Sequence, residues 1–191
     1  MLFFSARVIN QLIQGYICKP VVNSLTKSVD LTFRCWPVDI DLFFHMNNSR
    51  YLQNAELARW RTLPASNLLD RVATKEGMLF LAVENNVKYL RPIAPFEKYV
   101  ITTTCTVRKS DDKWIHYQHV FQQHPDNVPK GLDPHKFCVI DLKAVIKQKN
   151  GKTLKPSTLV KESPLYQEWF TMVDDVDEEQ QEAEQKMPRN K

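Results

Sequence analysis

Between Asn47 and Leu63 the chain carries its longest helix-patterned stretch, and four strand-patterned segments follow it in succession. That order constrains the fold more than anything else in the sequence, because antiparallel strands with one apolar face must bury it against another element. Tyr51, Leu52, Ala55, Ala58 and Trp60 form a stripe at helical spacing that suits a sheet. Asn47 or Asn48 supplies the N-cap, since its side-chain oxygen takes a free backbone N–H, and Pro64 stops the helix. Before the helix, Asp30 to Trp36 alternates as a half-buried strand with Leu31, Phe33 and Cys35 inward. After it come Met78–Leu90, Tyr99–Val107, Trp114–Gln123 and Phe137–Lys147. In the third of these Ile115, Tyr117, His119 and Phe121 share a face, and in the last Cys138, Ile140, Leu142, Ala144 and Ile146 do. The expected class is α+β, a meander of antiparallel strands wrapped around one central helix. Further helical turns are expected over Ala65–Glu76 and Pro164–Val173, and His124–His135, with three prolines, reads as an irregular connection.

Charge is unevenly placed. From Asp174 to Glu184 the run holds seven acids and no base, while the 191-residue chain as a whole carries a net charge of +4. Residues 174–191 contain seven of the 22 acids and three of the 26 bases, so the remainder has 23 bases against 15 acids, or +8. A basic body with a solvated acidic tail suits an anionic ligand or surface. No basic motif with interleaved aromatics is present, which argues against nucleic acid. The four glycines, at 15, 77, 131 and 151, exclude a glycine-built phosphate loop. The four cysteines, at 18, 35, 105 and 138, never form C-x-x-C, which speaks against zinc or a disulfide scaffold and for a reducing, intracellular setting. Cys35 reads as a small core residue. His116 and His119, three apart on a strand, face opposite ways and make a poor metal pair.

The first 29 residues hold Arg7, Lys19 and Lys27 and no acid. Leu2, Phe3, Val8, Ile9, Leu12 and Ile13 lie roughly on one helical stripe. Such a segment is expected to target or associate with mitochondria, to lie on a membrane surface or in a large complex, or to dock on the domain. The resulting division is an N-terminal amphipathic segment over 1–28, a domain over 29–150, an extension over 151–173 and the acidic tail over 174–191.

Chemistry concentrates between Asp39 and Arg61. Asp39 and Asp41 sit on a loop that leads into the capped helix. Free N–H groups at a helix start polarise a carbonyl and stabilise an oxyanion, and a nearby carboxylate serves as nucleophile or general base. Those parts suffice for acyl transfer without metal or cofactor. Asp39, Asp41, His45, Asn47, Asn48, Tyr51, Glu56, Ala58 and Arg59 match D-x-D-x-x-G-H-x-N-N-x-x-Y followed by E-x-A-R. By this pattern the chain resembles the hotdog-fold acyl-CoA thioesterases of the 4-hydroxybenzoyl-CoA-thioesterase-like type, and within them the thioesterase-superfamily-member-six-like branch. Val87–Pro92, with Phe96 and Tyr99, resembles that family's second strand and following turn, and the likeness covers about residues 28–150.

The resemblance implies a hotdog domain that works as a homodimer or as a hetero-oligomer of hotdog domains, with its active site at the subunit interface. It implies Asp41 as the catalytic carboxylate, or Glu56 from the central helix as in another branch. The helix start at Asn48 would be the oxyanion donor. Phe43, Phe44, His45, Asn47, Tyr51 and Arg91 are expected to contact substrate, with Arg50, Lys88 and Arg91 as candidates for coenzyme A phosphates. Each has a plainer role in view. Asp39 and Asp41 suit turns, His45 a loop hydrogen bond, Asn48 the N-cap, and Glu56 a pair with Arg59. The pattern's Gly before His is Phe44 here, after Phe43, and two phenyl rings there narrow or block an acyl pocket. Hydrolysis of an acyl-CoA thioester is thus one expectation. A non-catalytic hotdog subunit in a larger assembly is another, and an acyl or lipid binder a third.

Overall fold

A computed structural model describes residues 2–17, 28–65, 78–148, 150–158 and 171–173. Its elements in chain order are helix α1 (Leu2–Ile17), strand β1 (Ser28–Arg34), helix α2 (Asn48–Ala65) and strands β2 (Met78–Tyr89), β3 (Lys98–Arg108), β4 (Ile115–Gln123) and β5 (Lys136–Gln148). Two short strands follow, β6 (Thr153–Leu154) and β7 (Thr171–Val173). Single 3-10 turns lie at Pro37–Asp39 and Pro125–Asn127, the second inside the expected irregular connection.

The main sheet runs β1-β3-β4-β5-β2. Only β3, β4 and β5 form a meander. The strand that follows α2 does not pair with its successor β3. It crosses to the far edge and pairs antiparallel with β5, Met78 opposite Gln148 and Tyr89 opposite Cys138. β1 closes the other edge against β3, Ser28 opposite Thr104 and Arg34 opposite Lys98. Beyond it on the same side of β3, β7 pairs in parallel with Thr106–Arg108. The helix expected over Pro164–Val173 is therefore a strand at its C-terminal end. Of the helix expected over Ala65–Glu76, Ala65 is the last residue of α2 and the rest lies outside the described residues, as does the acidic run.

The alternation in β4 and β5 is as expected. Ile115, Tyr117, His119 and Phe121 are buried, as are Cys138, Ile140, Leu142, Ala144 and Ile146. Of these, Phe121, Cys138 and Ile140 pack in one cluster with Tyr51, Ala55 and Ala58 of α2. The two alanines let the helix lie close to the sheet, and rings fill the space around Tyr51. Phe121 stands 5.3 Å from Tyr51 and 5.8 Å from Tyr99, centre to centre. The expected stripe on α2 needs one change. Leu52 is exposed, whereas Asn54 and Leu57 are buried, because about 100° per residue carries position 52 away from the face shared by 51, 55 and 58. The helix also runs through Pro64 to Ala65, since a proline in the last turn removes one hydrogen bond before the helix ends anyway.

α1 packs along α2. Val8 and Leu12 are half-buried, and Arg61 of α2 donates to the side-chain oxygens of Gln11 and Gln14. Of the settings expected for this segment, docking on the domain is the one seen. Ile9, Ile13 and Ile17 remain exposed along its other side. No described helix is long and apolar enough to cross a membrane.

Candidate active site at the start of the central helix

Residues 40–46 form a small hairpin that delivers the chain into α2. Ile40 and Met46 bridge across it. The Asp41 N–H donates to the His45 carbonyl at 3.1 Å, and the Phe44 N–H to the Asp41 carbonyl at 3.2 Å. The Asp41 carboxylate takes part too, its Oδ1 accepting the Phe43 N–H at 2.9 Å. This is an Asx turn, the local bond that a short acidic side chain makes two residues on. His45 Nδ1 lies 3.1 Å from the same oxygen, at an angle that makes no hydrogen bond. No described group bonds Asp41 Oδ2, and the side chain is partly exposed.

At the tip, Leu42, Phe43 and Phe44 are 94%, 83% and 80% exposed. Within one chain the two phenyl rings therefore neither narrow nor block an internal pocket; they project outward. Phe44 has φ of 58°, in the left-handed region. That explains the glycine in the family pattern here: the hairpin needs a positive φ, which costs a residue with Cβ roughly 1–2 kcal/mol.

The helix start divides its work between two asparagines. Asn47, not Asn48, is the cap: its Oδ1 accepts the Ser49 N–H at 2.9 Å, and its carbonyl the Arg50 N–H at 2.8 Å. Asn48 is the first helical residue and is exposed. Among the described residues no acceptor meets its N–H, and its carbonyl accepts the Tyr89 hydroxyl at 3.1 Å. The free donor expected near Asn48 is thus a backbone N–H, while the side-chain cap sits one residue earlier. Tyr51, one turn in, is buried, and burial pushes its phenol up. Its ring meets Tyr89 of β2 edge-on at 5.3 Å.

Asp39 is fully buried and anchors the loop. Its Oδ2 accepts the Trp36 N–H at 3.1 Å, its carbonyl accepts the Asn47 N–H at 2.8 Å, and Arg7 donates to its Oδ1 at 3.1 Å. The same guanidinium donates to Asn54 Oδ1 at 2.7 Å, and Asn54 donates to the Tyr99 hydroxyl at 2.9 Å. One cation from α1 therefore joins the loop, the central helix and β3. The turn role expected for Asp39 holds, but its counter-charge, 32 residues upstream, was not expected. An acid-free helix followed by an aspartate at an inward position is the only hint the sequence offers.

Glu56 is occupied, accepting from Arg59 at 2.7 Å and from the Trp60 indole at 3.0 Å. Arg59 in turn reaches a buried polar pair that the pattern does not reveal. Its Nη1 lies 3.1 Å from His119 Nε2, and His119 Nδ1 lies 2.9 Å from Thr103 Oγ1. A guanidinium only donates, so Nε2 is the acceptor and Nδ1 carries the proton. Burial, then the Arg59 charge, hold the ring well below the usual histidine range. Glu56 and Arg59 thus serve a packed network instead of the hairpin. Burial likewise raises the Cys35 thiol to about 11 and Cys138 to about 12, which leaves neither a ready nucleophile. Lys88 and Arg91 are exposed with no carboxylate partner among the described residues. The Arg91 N–H donates to the Phe137 carbonyl at 3.1 Å.

A curved antiparallel sheet on one central helix, entered through an acidic hairpin, is the hotdog fold of thioesterase-like proteins. A model of the thioesterase-like superfamily matches residues 35–156, and the chain belongs to that family. It is similar to Protein THEM6 of Xenopus laevis, 33% identical over 85 residues, which are 44% of this chain and 41% of that protein. It is also similar to the long-chain acyl-CoA thioesterase FadM of Escherichia coli, 29% identical over 104 residues, or 54% and 76% of the two chains. The chain spans half or less of the length of the THEM6 proteins it matches. Among solved structures, 4-hydroxybenzoyl-CoA thioesterase bound to 4-hydroxybenzoyl-CoA aligns with a TM-score of 0.56 at 14% identity, over 67% of this chain and 91% of that one.

Proposed function

We propose that this chain hydrolyses acyl-CoA thioesters at the start of α2. The observation that carries the proposal is the hairpin itself. The Asx turn holds Asp41 through Oδ1 and leaves Oδ2 unbonded, and the chain then runs directly to a capped helix whose first N–H, at Asn48, has no partner among the described residues. Asp41 attacks the thioester carbonyl or takes a proton from the water that does. The Asn48 N–H, backed by the helix dipole, stabilises the oxyanion. The carbon–sulfur bond then breaks, so that one water yields a carboxylic acid and the thiol of coenzyme A. Lys88 and Arg91 supply positive charge for the coenzyme A phosphates. The likeness to FadM supports a fatty acyl group.

The working unit in this proposal is a homodimer joined along β2. Leu79, Leu81 and Val83 are 53%, 43% and 56% exposed on an edge strand, and Tyr89 and Leu90 are exposed beside Asn48. An apolar edge of this length is an aggregation hazard unless a partner covers it. A second β2, with the Leu42–Phe44 tip beside it, does so and encloses the site. We also assign the protein to the cell interior, at mitochondria, with α1 retained. Recovery of the endogenous protein from another compartment, or without its first residues, counts against that assignment.

Asp41→Asn separates chemistry from structure, because asparagine keeps the Asx-turn acceptor and loses the base. Hydrolysis of acyl-CoAs of graded chain length should fall at least about 100-fold, with little change in melting temperature. Wild-type turnover no higher than that of Asp41→Asn on every chain length refutes the proposal. It would favour the non-catalytic hotdog subunit, for which the engagement of Asp41 Oδ1 in the turn speaks.

A further inference from the structure

A cavity lies between α1 and β1, apart from the hairpin tip. It has a volume of about 560 Å³, within the usual range for small-molecule sites. Arg7, Asn10 and Gln11 line it from α1, and Thr32, Arg34 and Trp36 from β1 and the residues just after. Asp41, Asn48 and the hairpin tip are not among its walls. α1 precedes the family-matched segment, so this cavity is an addition to the family's core.

The lining holds two guanidinium groups and no carboxylate. Arg7 is committed to Asp39 and Asn54. Arg34 is not committed to an acid. Its Nη1 donates to the Phe96 carbonyl at 2.7 Å, and no carboxylate reaches it among the described residues. Its partner across the ladder is Lys98, a second cation, already paired with Asp126. The Arg34 guanidinium lies over the Trp36 ring, 6.0 Å from its centre. Trp36 is 53% exposed and Val38, also in the wall, 46%. The site therefore combines one positive charge, two donors in a fork (Nε and Nη2) that are unpaired among the described residues, and an apolar shelf against water.

We infer that this cavity binds an amphiphile bearing one carboxylate, the headgroup on Arg34 and the apolar body across Trp36 and Val38. A fork of N–H donors matches the two oxygens of a carboxylate, and one uncompensated cation calls for one negative charge. The inference does not depend on the thioesterase proposal, because binding of a free acid is measured directly and needs no turnover.

The test uses the full chain carrying Asp41→Asn, titrated by calorimetry with decanoate and with decanol. Decanoate should bind saturably, one per chain, and at least tenfold tighter than decanol. Adding Arg34→Gln should remove that preference and leave decanol unchanged. Val38→Asp, a substitution at an exposed position that sets a carboxylate in the wall, should weaken decanoate at least tenfold with an unchanged melting temperature. Equal affinity for the two probes overturns the inference. So does decanoate binding that survives both substitutions, which would place the ligand elsewhere.

Discussion

The two edges of the sheet solve the same problem in opposite ways. Near the β1 edge the chain ties itself down. From α1, which packs along α2, Arg7 reaches the buried Asp39 just past β1, and β7 continues the ladder on β3 beyond the end of β1. At the β2 edge nothing described covers the strand, and Leu79, Leu81, Val83, Tyr89 and Leu90 are exposed, with the Tyr89 hydroxyl at the start of α2. A polar anchor closes one edge; an apolar surface leaves the other open. An apolar edge calls for cover by another chain, whereas a buried ion pair is costly to break and so holds α1 to the loop after β1. The proposed active-site hairpin lies between the two, directly after the pinned Asp39 and directly before Asn47 and Asn48, where the Tyr89 hydroxyl at the end of β2 meets the Asn48 carbonyl.

Breaking the pin should have the largest effect. Arg7→Ala leaves the Asp39 carboxylate buried with only Arg50 near, 4.0 Å away, and should cost about 3 kcal/mol of stability in chemical denaturation. Asp39→Asn in the same chain should recover much of that loss, because a neutral amide needs no counter-charge. If Arg7→Ala alone is neutral, the β1 edge is not held as described.

The open edge is tested by charge. Leu81→Lys with Val83→Lys should weaken self-association at least tenfold in analytical ultracentrifugation, with the monomer's melting temperature kept, because both positions are exposed in the single chain. A wild-type chain that sediments as a monomer would remove the contrast between the edges.

Midway between them, His119 offers a reference belonging to neither. Its folded form resists protonation while the unfolded chain takes up a proton near pH 6.5. Stability should therefore be flat above about pH 7 and fall below about pH 6.5, by up to ~1.4 kcal/mol per pH unit from this one group. His119→Gln should flatten that slope. An unchanged slope assigns the acid sensitivity to other groups.

The smallest effect is expected at the hairpin tip. Phe44→Gly relieves the positive φ but adds freedom to the unfolded chain, and these nearly cancel, leaving stability within about 1 kcal/mol of wild type. Phe44→Val, β-branched at the same φ, should lose about 1–2 kcal/mol. Equal melting temperatures for the two would mean that the turn does not hold that φ in solution.

Much of this was legible beforehand. The alternation of β4 and β5, the single long helix between the first strand and the rest, and the Asp39–Arg59 pattern all depend on neighbours within a few residues, where side-chain periodicity acts directly. The local role of Asp39 followed from turn chemistry. The assignment of the cap to Asn48 missed by one residue, because adjacent asparagines are equally able and only the backbone angle chooses. The Arg7–Asp39–Asn54–Tyr99 chain and the Arg59–His119–Thr103 chain were not legible at all, since they join residues from separate elements. The exposure of Phe43 and Phe44 was hidden for the same reason.

The amino-acid sequence on its own determined the five long strands, the central helix and where the acidic hairpin meets it, because hydrophobic period and turn chemistry are local. Tertiary structure alone decided that β2 crosses to the far edge, that a helix outside the family core neutralises a buried aspartate, and that the hairpin tip faces water. Those outcomes depend on which distant surfaces meet, and burial then sets the energy of every charge placed between them.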